Sequence, residues 1–352
     1  MLQNLWWKST TTDFNQHKIR HATSGSFTGT KHMPRLRLPM LCLALFAFVA
    51  DAGAPPDRPA EPADFVRAIV NAAPTELTFT EAKLAIDAYV DPSIDPAGVR
   101  DAVARLSDAA ERMVEASGGD ASDMERLQAA RTVLHTAGAW NDGRPFAYDP
   151  DDPFGQRPGA QSLGRYLSTR TGNCVSMPVL FLALGERLGL DLTLSTAPLH
   201  VFVRFTDRAD GRTFNVEATS GGGFARDAHY RRLLPMTDAA IRNGVYLRSL
   251  SRRETLALIA TPVLDHLLAT GRFEEAIAVA DVLIAANPAD AYAMAKKGTA
   301  SYRLLERDFI RRYPREADIP VAEMPRALAL SRANREAFAR AEALGWREPK
   351  LN

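Results

Sequence analysis

The 352 residues are 46% hydrophobic and 24% charged, with 43 Lys and Arg against 42 Asp and Glu. This is the composition of a globular protein with room for two modest domains. The near-balance of charge excludes a global electrostatic attraction to nucleic acid, so no nucleic-acid partner is expected.

Residues 1–54 read as separate from the core. Lys31, Arg35 and Arg37 precede an apolar run from Leu38 to Ala50, and small residues follow in Ala50-Asp51-Ala52 and Ala52-Gly53-Ala54. A basic start, a short apolar middle and an A-x-A-like end form the pattern of a secretory signal peptide. The run is much shorter than the roughly 20 residues that span a bilayer. Export to the periplasm or secretion is therefore expected, with no stable membrane insertion after the signal is removed. Met33, just ahead of the basic residues, reads as the start of the exported chain. Cys42 lies in the apolar run and leaves with it, so Cys174 stays alone and forms no intramolecular disulfide.

Residues 55–62 are rich in proline and read as an extended spacer. Helical patterns follow at Ala63 to Ala73, Thr80 to Val90, Asp95 to Ala116 and Ser122 to Ala137; in the third, Val99, Val103, Leu106, Ala110 and Met113 form one stripe. Gly143 to Gly155 is crowded with turn residues and reads as a loop. A short helix is expected over Ser162 to Ser168. The apolar run Val179 to Leu188, ended by Gly189, predicts a buried helix. The period then changes to two. Leu192 to Thr196, Leu199 to Phe205 and Thr213 to Ala218 predict strands, the last two joined by a turn at Asp207 to Gly211. Ser220 to Gly223 reads as a flexible loop. Helices return beyond residue 250, where Phe273, Ala276, Ala280 and Pro288 follow the spacing of the second helix of a tetratricopeptide repeat, and Ala289 to Arg303 can start the next. The expected organisation is an N-terminal extension with signal (1–54), a spacer (55–62), a mixed domain (63–250) and a helical segment (251–352). The expected fold class is α+β, with helices packed on an antiparallel sheet and followed by an all-α C-terminal segment.

Cysteine catalysis needs a thiolate, a base to make it and a group to orient the base. Past residue 54 the sequence offers Cys174 and four histidines: His135, His200, His229 and His266. Cys174 follows Gly172-Asn173 just before the expected buried helix, where unpaired N–H groups and the helix dipole favour an anionic sulfur and can hold an oxyanion. Pro178 leaves either Asn173 or Ser176 as the helix cap, and both keep Cys174 at the helix mouth. His200 stands in a strand, and the next strand offers Glu217 and Asn215 for its second nitrogen. A hairpin register opposing His200 to Glu217 puts both on one face, and a one-residue slip separates them. Past residue 54 no His-x-x-x-His pair, phosphate loop or dinucleotide fingerprint is present, so neither metal nor cofactor is expected.

In this order of Cys, His and acid the chain resembles the transglutaminase-like superfamily, whose site arrangement is shared with papain-like cysteine proteases. Within it the chain is similar to bacterial proteins related to the SirB1 family, which join such a domain to tetratricopeptide-type helices. The likeness rests on Arg170 to Ser176 (RTGNCVS), Pro198 to Arg204 (PLHVFVR) and Phe214 to Thr219 (FNVEAT), with further matches at Tyr148 to Pro153 and Gly244 to Arg248. The resemblance implies a transglutaminase-like, papain-like core with Cys174 as nucleophile, His200 as general base and acid, and Glu217 as the orienting acid. Asn215 is the alternative orienter, as asparagine is in papain-like enzymes. Glutamate stands where transglutaminases commonly carry aspartate, and Val175 where many carry an aromatic residue. The implied function is that of an exported acyl hydrolase or transferase acting on peptide or protein amide bonds, with a protein partner on the C-terminal helices. The alternative is a catalytically idle protein-binding module of the cell envelope.

Overall fold

The computed structural model describes residues 61–349 apart from 117, 119 and 158. The expected signal segment, Met33, Cys42 and the spacer up to Ala60 lie outside the described residues. Glu61–Asn352 form one compact unit.

Four helices open it: α1 (Pro62–Asn71), α2 (Phe79–Val90), α3 (Pro96–Ala116) and α4 (Asp123–His135). The first helix takes its N1 residue, Pro62, from the end of the expected spacer, because proline there gives up an N–H that the helix does not use. The stripe expected in α3 is the buried one, through Val99, Val103, Leu106 and Ala110. A capping box starts α4: Ser122 Oγ accepts from Glu125 N, and Glu125 Oε2 accepts from Ser122 N. Such a cap contributes about 1 kcal/mol.

The stretch expected to be only a loop carries β1 (Ala147–Tyr148), which pairs in parallel with β2 (Thr171–Gly172) across α5 (Leu163–Thr169). A ladder this short has no period to read, yet it anchors the passage leading to Cys174. The start of α5 is tied to α2. Lys83 and Asp87 form a buried ion pair at 2.5 Å, and Asp87 Oδ2 accepts from Leu163 N at 2.8 Å.

The expected buried helix is α6 (Ser176–Arg187), all of whose residues from Ser176 to Gly185 are buried. Burying Val179, Leu180, Phe181, Leu182 and Leu184 stabilises the fold by about 1.5–3 kcal/mol each. Gly185 allows close packing on β3 (Asp191–Ala197), since a Cβ there would run into the Leu192 side chain.

With β4 (His200–Thr206), β5 (Thr213–Glu217) and β6 (Gly223–Ala225), β3 forms a four-stranded antiparallel sheet in chain order. Ser220 to Gly223, expected as a flexible loop, closes a 3-10 turn and enters β6 through Gly221 and Gly222 at φ 66° and 67°. The second hairpin opposes Val203 to Val216 and Arg204 to Asn215. Continued, this register puts Glu217 level with Phe202, two residues from the expected partner His200. Because side chains alternate with period two, the shift keeps His200 and Glu217 on one face as diagonal neighbours.

Two short helices follow, α7 (Asp227–Leu233) and α8 (Asp238–Arg242). Leu247 N and Leu250 N then donate to Thr196 O and Leu194 O at 3.0 and 2.9 Å, covering the outer edge of β3. The chain ends in α9 (Arg252–Ala269), α10 (Phe273–Ala286), α11 (Ala291–Leu305) and α12 (Met324–Ala343). Both α9 and α10 pack on α1, and α9 also packs on α2. Side chains on either side of residue 250 therefore share one hydrophobic cluster. Among the described residues no helix is long and apolar enough to cross a membrane.

Candidate active site

Cys174 lies in the short passage between β2 and α6, and Asn173 organises it. Asn173 Oδ1 accepts from Val175 N and Ser176 N at 3.0 and 3.1 Å, while Nδ2 donates to Ala160 O at 2.8 Å. Ser176 Oγ accepts from Asn173 N at 3.1 Å, and the Asn173 carbonyl accepts from Met177 N at 3.1 Å. Asn173 thus does the capping. Pro178 falls in the first turn, where it removes only the bond that the Cys174 carbonyl would have accepted. Gly172 cannot carry a side chain, because a Cβ would stand 2.5 Å from the Tyr166 ring and 2.8 Å from Ser176 Oγ.

This capping corrects one expectation. The N–H groups expected to receive an oxyanion are engaged: Val175 and Ser176 by Asn173, and Cys174 N by Pro153 O at 3.4 Å. The last bond is the longest of the three and the easiest to exchange.

His200 begins β4 directly after the Pro198-Leu199 turn. Leu199 takes φ 57°, a region that costs a residue with a side chain about 1–2 kcal/mol. Strain of this kind persists only where the surroundings impose it. Here the Leu199 carbonyl accepts from Cys174 Sγ at 3.6 Å, and the following residue carries the imidazole. His200 Nε2 lies 2.8 Å from Glu217 Oε2. The same carboxylate accepts from Thr219 N and Oγ1 at 3.1 and 2.5 Å and from Tyr230 OH at 2.9 Å. Tyr230 stacks on Phe202 at 4.3 Å, and the two rings stand 5.7 and 6.3 Å from the imidazole. With Nε2 taken by Glu217, Nδ1 is the ring nitrogen left to face Cys174, which helps to raise the His200 pKa.

Burial of His200 works against its charged form, but hydrogen bonds to Cys174 and Glu217, with their charges, outweigh it and raise the pKa to about 9. Burial of Glu217 favours its neutral form, yet the bonds from His200, Thr219 and Tyr230 prevail and lower its pKa to about 2. Imidazolium and carboxylate therefore coexist across the neutral range. Tyr148, at the end of β1, feels the same charges. Burial, then Cys174, Glu217 and Asp149, raise its pKa, which keeps its hydroxyl a neutral donor.

Asn215 is not brought to the imidazole. Its Nδ2 donates to Asp227 Oδ1 at 2.8 Å, and its Oδ1 is buried without a hydrogen-bond partner among the described residues. Of the two orienters open in the sequence, Glu217 is the one bonded to the ring. His135 is bound elsewhere, through Nδ1 to Phe146 O at 3.2 Å. A groove of about 430 Å³ opens beside Glu217, lined by Phe224, Arg226, His229 and Arg232, and Phe224 is 48% exposed there. Among the described residues no group of three or more His, Cys, Asp or Glu is placed to hold a metal ion.

Residues 99–260, just under half of the chain, match the family model of the transglutaminase-like superfamily. They form a transglutaminase-like domain. No curated protein and no solved structure was found to match the chain. The transglutaminase-like domain runs from Val99 in α3 to Ala260 in α9 and holds Cys174, His200 and Glu217 together. Its site also uses groups given no role from the sequence: the Tyr230 hydroxyl and the Leu199 carbonyl. Thr219 was within reach, since an acceptor two residues before a hydroxyl and its N–H is a local turn signal. Tyr230 was not, because only the packing of α7 on the sheet brings it there.

Proposed function

We propose that the protein is an exported cysteine-dependent acyl hydrolase or transferase acting on amide bonds of peptides or proteins. The observation that carries this reading is the 2.8 Å bond from His200 Nε2 to Glu217 Oε2, with Cys174 close enough to the same ring to help raise its pKa. The raised His200 pKa favours transfer of the Cys174 thiol proton to Nδ1, which then carries the proton that the leaving amine needs. Cys174 Sγ attacks the amide carbonyl carbon as the sulfur anion. The carbonyl oxygen takes up the negative charge, stabilised by Cys174 N once it leaves Pro153 O and by the Tyr148 hydroxyl. The C–N bond then breaks as Nδ1 protonates the amine, and a thioester remains. Water or a second amine gives a proton to Nδ1 and attacks the thioester. The C–S bond breaks, and sulfur and imidazolium are restored.

The groove beside Glu217, with its exposed Phe224, supports a peptide-sized substrate. The basic and apolar pattern of residues 31–54 supports export. The paired packing of α10 with α11 and of α11 with α12 supports tetratricopeptide-type helices, SirB1-like organisation and a protein partner on that surface. Cys174→Ser should lower turnover of a peptide-amide substrate by about a thousandfold or more with the fold retained. Unchanged turnover would refute the proposal.

One observation favours the second reading, an idle domain that serves as a binding module of the cell envelope. Cys174 is only 5% exposed, and its sulfur is bonded to the Leu199 carbonyl. Alkylation by iodoacetamide near pH 6 separates the two: a rate above that of a free-thiol standard favours the enzyme, and a rate no higher favours the binding module.

A further inference from the structure

Arg170, four residues before Cys174, lines a second pocket of about 310 Å³ together with Arg105 and Arg112 of α3, Trp140, Asp142 and Phe146. None of these side chains takes part in the site around Cys174. Arg170 closes α5 with φ 61°, and its guanidinium lies over the Phe146 ring at 4.5 Å with the side chain 17% exposed. Its Nη2 donates to Asp142 Oδ2 at 3.1 Å, whereas Nη1 is buried and has no hydrogen-bond partner among the described residues. A buried guanidinium N–H without an acceptor is costly, and charged donors more so than neutral ones.

The charge around this atom is unbalanced. Arg105 and Arg112 stand seven residues apart on one face of α3, and neither forms an ion pair or hydrogen bond among the described residues. Asp108, between them in sequence, is engaged by Arg187 at 2.9 Å. Three guanidinium groups thus share a pocket whose lining carboxylates are Asp142 and Asp108, the latter already paired with Arg187. Burial depresses the Arg170 pKa, Asp142 opposes that, and the charges of Arg144 and Arg105 add to it. An acceptor oxygen carrying negative charge in the pocket relieves the mutual repulsion of the three guanidinium groups. The fork of a guanidinium matches a planar carboxylate or a phosphate group. Trp140 and Phe146 supply apolar walls beside it.

We propose that this pocket is a binding site for a small molecule bearing a carboxylate or phosphate group, held by the guanidinium groups of Arg170, Arg105 and Arg112. The test is calorimetric titration of the full chain with inorganic phosphate and, separately, with benzoate, each against sodium chloride at matched ionic strength. Saturable binding of either anion is expected, weakened at least tenfold in the Arg105→Ala/Arg112→Ala double variant. Both changes are at exposed helix positions, and an unchanged circular dichroism spectrum checks that the fold is retained. Binding of benzoate in preference to phosphate assigns a carboxylate on an apolar ring, and the reverse assigns a phosphate ligand. Absence of saturation by both anions, heat reproduced by sodium chloride, or equal affinity in the double variant overturns the proposal.

Discussion

Glu217 accepts four hydrogen bonds with one carboxylate, and that concentration sets the electrostatics of the site. Glu217→Gln removes the charge and leaves the shape. Burial should then dominate at the imidazole, and the His200 pKa should fall from about 9 to its ordinary value or below. An NMR titration of the ring checks this, and a pKa that stayed near 9 would contradict the assignment. The same shifts set a stability window. A histidine whose pKa is raised from 6.5 to about 9 on folding stabilises the native state fully below pH 6.5 and loses that contribution as pH rises through 9. A glutamate lowered from 4.5 to about 2 contributes fully above pH 4.5 and loses it as pH falls through 2. Melting temperatures measured against pH should therefore plateau between about 4.5 and 6.5, with the alkaline decline shallower in Glu217→Gln. The order of Cys174, His200 and Glu217 was legible because each residue type has few chemical reasons to stand in such a series. The exclusion of Asn215 was not legible, since it follows from the reach of Asp227 on the next helix.

The elements with a long apolar period were readable from the chain: α3, α6 and the strands β3, β4 and β5 lie within a few residues of their expected bounds. The two-residue ladder of β1 and β2 and the entry of Gly223 into β6 were not. Neither has enough residues to show a period, and both owe their pairing to strands distant in sequence or to a glycine turn. The junction of α2 with α5 is likewise tertiary. Lys83 and Asp87 are one helical turn apart and read as an ordinary surface pair. In the fold both are buried, and Asp87 also holds the first N–H of α5. Lys83→Met should therefore destabilise the protein by about 3–5 kcal/mol, because it strands a buried carboxylate. Denaturant unfolding measures this, and a loss under 1 kcal/mol would mean that water reaches Asp87.

For the molecule as a whole, the decisive packing runs between its ends. Leu256, Ile259, Val263, Leu264 and Leu267 of α9 are buried, and this helix lies against α1 and α2. Exposing five such side chains costs about 7–15 kcal/mol, comparable to the entire stability of a domain. A chain truncated after residue 250 should fail to fold cooperatively, whereas the chain that retains α9 to α12 should give one unfolding transition. Circular dichroism melting decides between them, and a cooperative melt of the truncated chain would establish an independent mixed domain. The sequence by itself determined the kinds of element and their order, because periods of 3.6 and two are local properties of the chain. It also determined the residue types able to do acyl-transfer chemistry, since the chain past residue 54 contains one cysteine. Only the tertiary structure decided the two-residue shift that makes His200 and Glu217 diagonal partners, the Asn173 cap that occupies the helix N–H groups, and the arginine-lined pocket beside α5. Each of these depends on distances between residues far apart in the chain, which close packing sets and local pattern does not.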